Sequence, residues 1–123
     1  MSFPVEEIPH TDCVFYRVHR NDTRNGEPIP GAFRNVGERM SADWEKYSTA
    51  SQSRQRAKAP IVVGIVSLLV GAVREIESLS VQHVPEHPAN RAHTEVFGKK
   101  DAEVRLKLLR IYEWKIKPDD PLV

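Results

Sequence analysis

Apolar positions rich in aromatic and β-branched residues fill DCVFYRVHR, residues 12–20, which predicts a strand from Val14 to His19. In such a strand Tyr16 and Val18 share one face, and Phe15, Arg17 and His19 share the other. An aromatic ring beside two polar groups suggests that this second face lies near a rim or cleft. MSADW, residues 40–44, is a second candidate strand. AHTEVFG, residues 92–98, alternates polar and apolar before Gly98 permits a turn.

The longest apolar run, PIVVGIVSLLVGAV at residues 60–73, fits two elements. Ile61, Ile65, Leu68 and Ala72 would line a helix face, whereas the Val and Ile content with Gly64 and Gly71 suits a buried strand. Strands are preferred. Glu77-Ser78 separates REI from the β-like run LSVQHV, so a hairpin reversing near Ser78 is expected. The clearest helix is DAEVRLKLLRIYEW, residues 101–114, with Asp101 as its cap and Val104, Leu108 and Ile111 as its buried stripe. Its end stays open, because Tyr112, Trp114 and Ile116 alternate with Glu113, Lys115 and Lys117 as in a strand. Pro118 stops either element.

The remaining segments read as connections. Residues 1–12 form an irregular lead-in, 21–31 a loop, GAFRN (31–35) a short extended piece, and 118–123 a tail. Residues 49–59 carry Arg54, Arg56 and Lys58 without an apolar stripe, and read as an exposed helix or loop. The fold class that emerges is α+β: one small domain over residues 1–123, a mostly antiparallel sheet packed by a C-terminal helix.

Composition narrows the function classes. Hydrophobic and charged contents of 40% and 28% are those of a soluble globular protein. A formal charge of +1 supplies no long-range pull toward nucleic acid or membrane. The single cysteine, Cys13, forbids an internal disulfide, fits a reducing compartment, and reads as a buried thiol beside Val14 and Phe15. The first ten residues lack the basic-then-apolar pattern of a signal peptide. The apolar run falls short of the roughly 20 residues a spanning helix needs. No membrane association and a cytoplasmic address are expected.

Candidate chemistry centres on HVPEHPANRAH, residues 83–93. His83, His87 and His93 carry the spacing of a zinc endopeptidase, and His83-Val84-Pro85-Glu86-His87 also matches the inverted His-x-x-Glu-His order. Both patterns require a helix, which Pro85 and Pro88 break. In the first, Val84 stands where the general base belongs and Asn90 replaces the turn glycine. Neither a metal nor a cofactor is expected. A metal-free alternative places His83 and His93 at strand ends beside His19 and Arg17. Two imidazoles would then exchange protons while the guanidinium holds a phosphate, the equipment of a phosphodiesterase or ribonuclease. Ser41 precedes Asp43 without the glycine-flanked elbow of a serine hydrolase, and Gly64, Gly71 and Gly98 form no phosphate loop.

A second function class comes from residues 99–117, where seven basic residues face three acids around Tyr112 and Trp114. Lys107 and Arg110 would contact RNA or an acidic protein there.

FYRVH, GAF, MSADW, the glycine-spaced run to Arg74, His83-x-Pro85, Asn90-x-Ala92-His93 and Gly98-Lys99-Lys100 together resemble an uncharacterised family of small bacterial proteins. The likeness spans residues 14–114. It implies no reaction, but it directs attention to Arg17, His19, Ser41, His83, Asn90 and His93. This chain has Val84 where that family carries an aspartate, which removes a carboxylate from the histidine segment. The leading expectation is a small accessory protein that binds a protein or nucleic-acid partner, using Ser41, Asn90, Lys107 and Arg110. The alternative is a histidine-dependent phosphodiesterase or ribonuclease using His19, His83, His93 and Arg17.

Overall fold

A computed structural model describes residues 2–34 and 38–122. Asn35, the last residue of the expected GAFRN piece, lies outside the described residues, as do the outermost residues of the lead-in and tail. Among the described residues, eight strands and three short α-helices follow in order: β1 (Cys13–His19), β2 (Thr23–Arg24), β3 (Glu27–Pro28), β4 (Arg39–Trp44), α1 (Ala50–Gln55), β5 (Val63–Leu69), α2 (Val70–Glu75), β6 (Ser80–His83), β7 (His93–Phe97), α3 (Ala102–Leu108) and β8 (Glu113–Ile116). Six of the strands form one antiparallel sheet, ordered β6-β7-β4-β1-β5-β8, while β2 and β3 make a separate small ribbon. The α+β class and the C-terminal helix are as the hydrophobic pattern expects.

Alternation sorts the sheet into two faces. Val14 pairs with Trp44 and with Leu68, and Met40 with Val96. These residues are almost fully buried, and with Val73 of α2, Leu108 of α3 and Phe33 they make the main core. Phe15 pairs with Asp43, and Asp43 with His93, so these three side chains share the opposite face. That face carries a charged residue at its centre. Short helix α1 packs against β1, β5 and β8 on this side.

Two expectations need correction, and the end of the C-terminal helix, open from the sequence, is fixed. The hairpin near Ser78 does not form: β5 ends at Leu69, and REI lies in and just after α2. Val70, Val73 and Ile76 are buried at helical spacing, and the N–H groups of Val70 and Gly71 donate to the Asp12 and His10 carbonyls of the lead-in (both 2.9 Å). The C-terminal helix stops at Leu108, and the alternating Glu113–Ile116 segment is edge strand β8. Asp101 does cap α3, accepting from the Val104 N–H at 2.9 Å.

The second correction concerns Arg54, expected on the surface but only 3% exposed. Its guanidinium donates to the carbonyls of Pro60 and Val63 (both 2.9 Å), Ile61 (3.3 Å), Asp120 (2.7 Å) and Pro121 (3.4 Å). A planar fork of five donors suits such a cluster of oxygens. The helix α1 that carries Arg54 begins with a capping box, in which Thr49 and Gln52 satisfy each other's backbone N–H groups.

Gly98 ends β7 with φ +122°, and an added Cβ would sit 2.2 Å from the Ser78 carbonyl oxygen. Gly98→Ala is expected to lose about 2 kcal/mol in a urea unfolding experiment, from left-handed backbone strain and this overlap. A loss below about 0.5 kcal/mol would show that the loop relaxes freely.

Candidate functional site

Asp43 is the centre of the second sheet face. It is 1% exposed, a costly place for a carboxylate unless donors surround it. Four do. Its Oδ2 accepts from Ser53 Oγ (2.6 Å), Arg56 Nη1 (3.1 Å) and Arg17 Nη1 (3.3 Å), while Oδ1 accepts from Asn90 Nδ2 (2.8 Å). The donors come from four parts of the chain: β1, helix α1, its C-terminal cap and the β6–β7 loop. β4 holds the acceptor in a register fixed on both sides by β1 and β7.

Each partner is itself oriented. Arg17 also donates to the Ser53 carbonyl (3.3 Å), and Arg56 to Ser48 Oγ (2.9 Å). Asn90 accepts from the Ala92 N–H (3.0 Å), while its backbone bridges to Glu86 in both directions (2.9 and 2.7 Å). Asn90 therefore braces the loop and touches Asp43 at once. The two arginine side chains remain 34% and 31% exposed. Neither makes a further hydrogen bond through Nε or Nη2 among the described residues. Two guanidiniums on one carboxylate leave a local excess of one positive charge facing solvent.

Next to this cluster lie Ser41, two residues before Asp43 on the same face of β4, and His93, its register partner on β7. His93 Nδ1 is 2.9 Å from the Val84 carbonyl and Nε2 is 3.3 Å from Ser41 Oγ. A carbonyl oxygen only accepts, so Nδ1 carries a hydrogen, and in that tautomer Nε2 bears the lone pair that faces the serine.

The structure does not gather the three expected histidines. His83 pairs in register with Thr94 and so faces the main core, opposite His93. It is 2% exposed, edge-on to Trp44 at 5.0 Å. Its Nδ1 accepts from the Glu6 N–H (3.0 Å), so Nε2 donates to the Arg91 carbonyl (2.7 Å), and no nitrogen is left for chemistry. His19 shares the face of His93 but stands four residues beyond Phe15, about 13 Å along the strand. There its Nδ1 accepts from the Asn21 N–H and caps a short turn. Of the expected catalytic set, only Arg17 and His93 lie beside Asp43, Arg17 by its hydrogen bond and His93 as the register partner. No group of three His, Cys, Asp or Glu side chains among the described residues is placed to hold a metal ion.

The expected basic surface is also dispersed. Lys107 pairs with Glu103 one helical turn away at 3.5 Å, Lys100 is buried, and Arg105 is half-buried. Arg110 is exposed beyond the end of α3. Trp114 donates its indole N–H to the Gly26 carbonyl (3.1 Å) rather than offering it to a partner. Cys13 is half-buried, and burial pushes its thiol above its ordinary range.

Sequence reasoning passed over Asp43, Ser53 and Arg56 as site residues. Two signals pointed to them. An aspartate inside an otherwise β-forming segment is disfavoured unless it is bonded. Residues 49–59 hold three cations and no acid, so their counter-charge has to come from elsewhere. No helix among the described residues is long and apolar enough to cross a membrane. Comparison of the chain with protein-family models, with curated proteins and with solved structures gives no match.

Proposed function

We propose that this chain is a small accessory binding protein whose recognition centre is the paired arginines, Arg17 and Arg56, and that the group it captures is a phosphate. The observation that carries the proposal is their sharing of one buried oxygen, Asp43 Oδ2. A structural pin between α1 and the sheet would not need both. Ser53 already ties the helix to Asp43 at 2.6 Å, and one guanidinium suffices to balance one carboxylate. The second cation leaves charge and donors facing solvent. Phosphate suits that arrangement better than carboxylate, because its oxygens take hydrogen bonds from several directions and so engage two forks together.

The phosphodiesterase or ribonuclease reading is weaker. It calls for one imidazole to accept a proton while another donates, and His93 has no second imidazole beside it. The notion of a basic helix reading RNA through Lys107 and Arg110 rests on a shorter helix whose cations are partly paired or buried.

Calorimetric titration with inorganic phosphate and with a short single-stranded RNA tests the proposal. Arg17→Ala and Arg56→Ala should each weaken phosphate affinity by about tenfold, the equivalent of one charge-assisted contact. Charge reversal at Lys107 and Arg110 should leave it unchanged. Loss of RNA binding on that reversal, with phosphate ignored by the wild type, would instead favour the helix.

A further inference from the structure

We propose that Ser41 and His93 form a nucleophile–base pair, and that the chain hydrolyses an ester carrying an anionic group. The proposal rests on the arginine site for the charge of its substrate, and on separate geometry for its chemistry. His93 is tied at both nitrogens: Nδ1–H to the Val84 carbonyl at 2.9 Å, and Nε2 facing Ser41 Oγ at 3.3 Å. The first bond sets the tautomer, and the second places a basic lone pair on the serine hydroxyl. Here a backbone carbonyl holds the ring where hydrolase triads use an acid.

Position supports the same use. Ser41 is exposed, so a substrate reaches it, yet it stands on β4, a strand flanked by β1 and β7 within the sheet, not on a loop tip. Two residues along the same strand face, about 7 Å away, Asp43 gathers Arg17 and Arg56. A substrate anion held by those guanidiniums would present its ester near Ser41, and the same cations would lie near the oxyanion that forms on attack. Two further charged groups share this face: Glu95 sits opposite Ser41 and is 3.9 Å from Arg39, two residues before Ser41 on β4.

The chemistry balances without any further reagent. Ser41 Oγ attacks the ester carbonyl carbon and its proton passes to His93 Nε2. The C–O bond to the alcohol then breaks, and the alcohol leaves with that proton. Water attacks the acyl-serine, gives a proton to the same nitrogen and releases the acid, and the proton returns to Ser41 Oγ.

A fluorophosphonate reports the first half of this cycle. The serine oxygen bonds to phosphorus, the P–F bond breaks, fluoride leaves, and His93 takes the proton. Intact mass with peptide mapping should find one adduct on Ser41 in the wild type. None should form in Ser41→Ala, and labelling should be about 100-fold slower in His93→Ala. His93→Gln, checked for folding by circular dichroism, should label as slowly as His93→Ala. An unmodified wild type, an adduct elsewhere, or histidine variants that label as fast as the wild type would overturn the pair. Phosphate titration of Ser41→Ala keeps the two proposals apart: retained affinity beside an unlabelled wild type removes the nucleophile and leaves the arginine site standing.

Discussion

Replacing Asp43 by alanine is expected to lower folding stability by about 3 kcal/mol, the loss typical of removing one member of a buried, hydrogen-bonded charge cluster. The variant leaves Ser53 and Asn90, both buried, without their acceptor, and brings two guanidiniums together with no anion between them. Solvent reduces the second effect, since both arginine side chains are about a third exposed. Asp43→Asn can keep an oxygen for Asn90 only by turning its NH2 group toward the arginines, and should lose roughly 2 kcal/mol. Urea unfolding measures both. Removing Arg17 and Arg56 together should cost more than the sum of the single changes, because only then does the buried carboxylate lose all cationic partners. A loss under about 1 kcal/mol for Asp43→Ala would mean that the site is held by the sheet and not by its charge.

Lys100 is expected to make stability rise with pH. It is 3% exposed, and among the described residues its ammonium group has only the carbonyls of Glu38 (3.0 Å) and Val96 (2.5 Å) for partners. Burial lowers its pKa from 10.5 to about 8, with the Glu38 charge opposing. Below pH 8 both folded and unfolded chains hold the proton, and the folded state bears a constant penalty of about 3 kcal/mol. Between about 8 and 10.5 the unfolded chain binds more protons than the folded one, so stability climbs across that window. Cys13 and Tyr16, both raised by burial, act in the opposite sense at alkaline pH. The comparison with Lys100→Met removes their contribution, because both proteins share it. The wild type should gain about 3 kcal/mol on that variant between pH 8 and 10.5. A constant difference over the range would place the lysine charge in contact with water.

Much of this sheet was legible from β-forming composition and local alternation. β1, β4 and β7 lie where Val14–His19, MSADW and AHTEVFG predict them, and the face shared by Phe15 and Arg17 does carry the polar site. The switch from β5 into α2 was hidden, because a fully buried strand and an apolar helix face both read as continuous hydrophobicity. Only the spacing of Val70, Val73 and Ile76 marks it, and bonds to the lead-in decide it. The histidine trio failed for a reason of pleat: His83 and Thr94 share a row, so His93, one residue earlier, must face the other way. Asn90 was singled out from the histidine segment, but its tie to Asp43 spans 47 residues and leaves no local trace.

The strand order carries a kinetic consequence. Within the six-stranded sheet, only β6 and β7 are neighbours both in space and in succession along the chain. The central strand β1 has to find β4 across a long excursion and β5 across a longer one, so large loops must close before most pairing is rewarded. Such topologies fold in milliseconds to seconds rather than microseconds, with the β6–β7 hairpin as the cheapest place to begin. That hairpin carries His93 on one strand, so half of the serine–histidine contact is in position before its other half arrives.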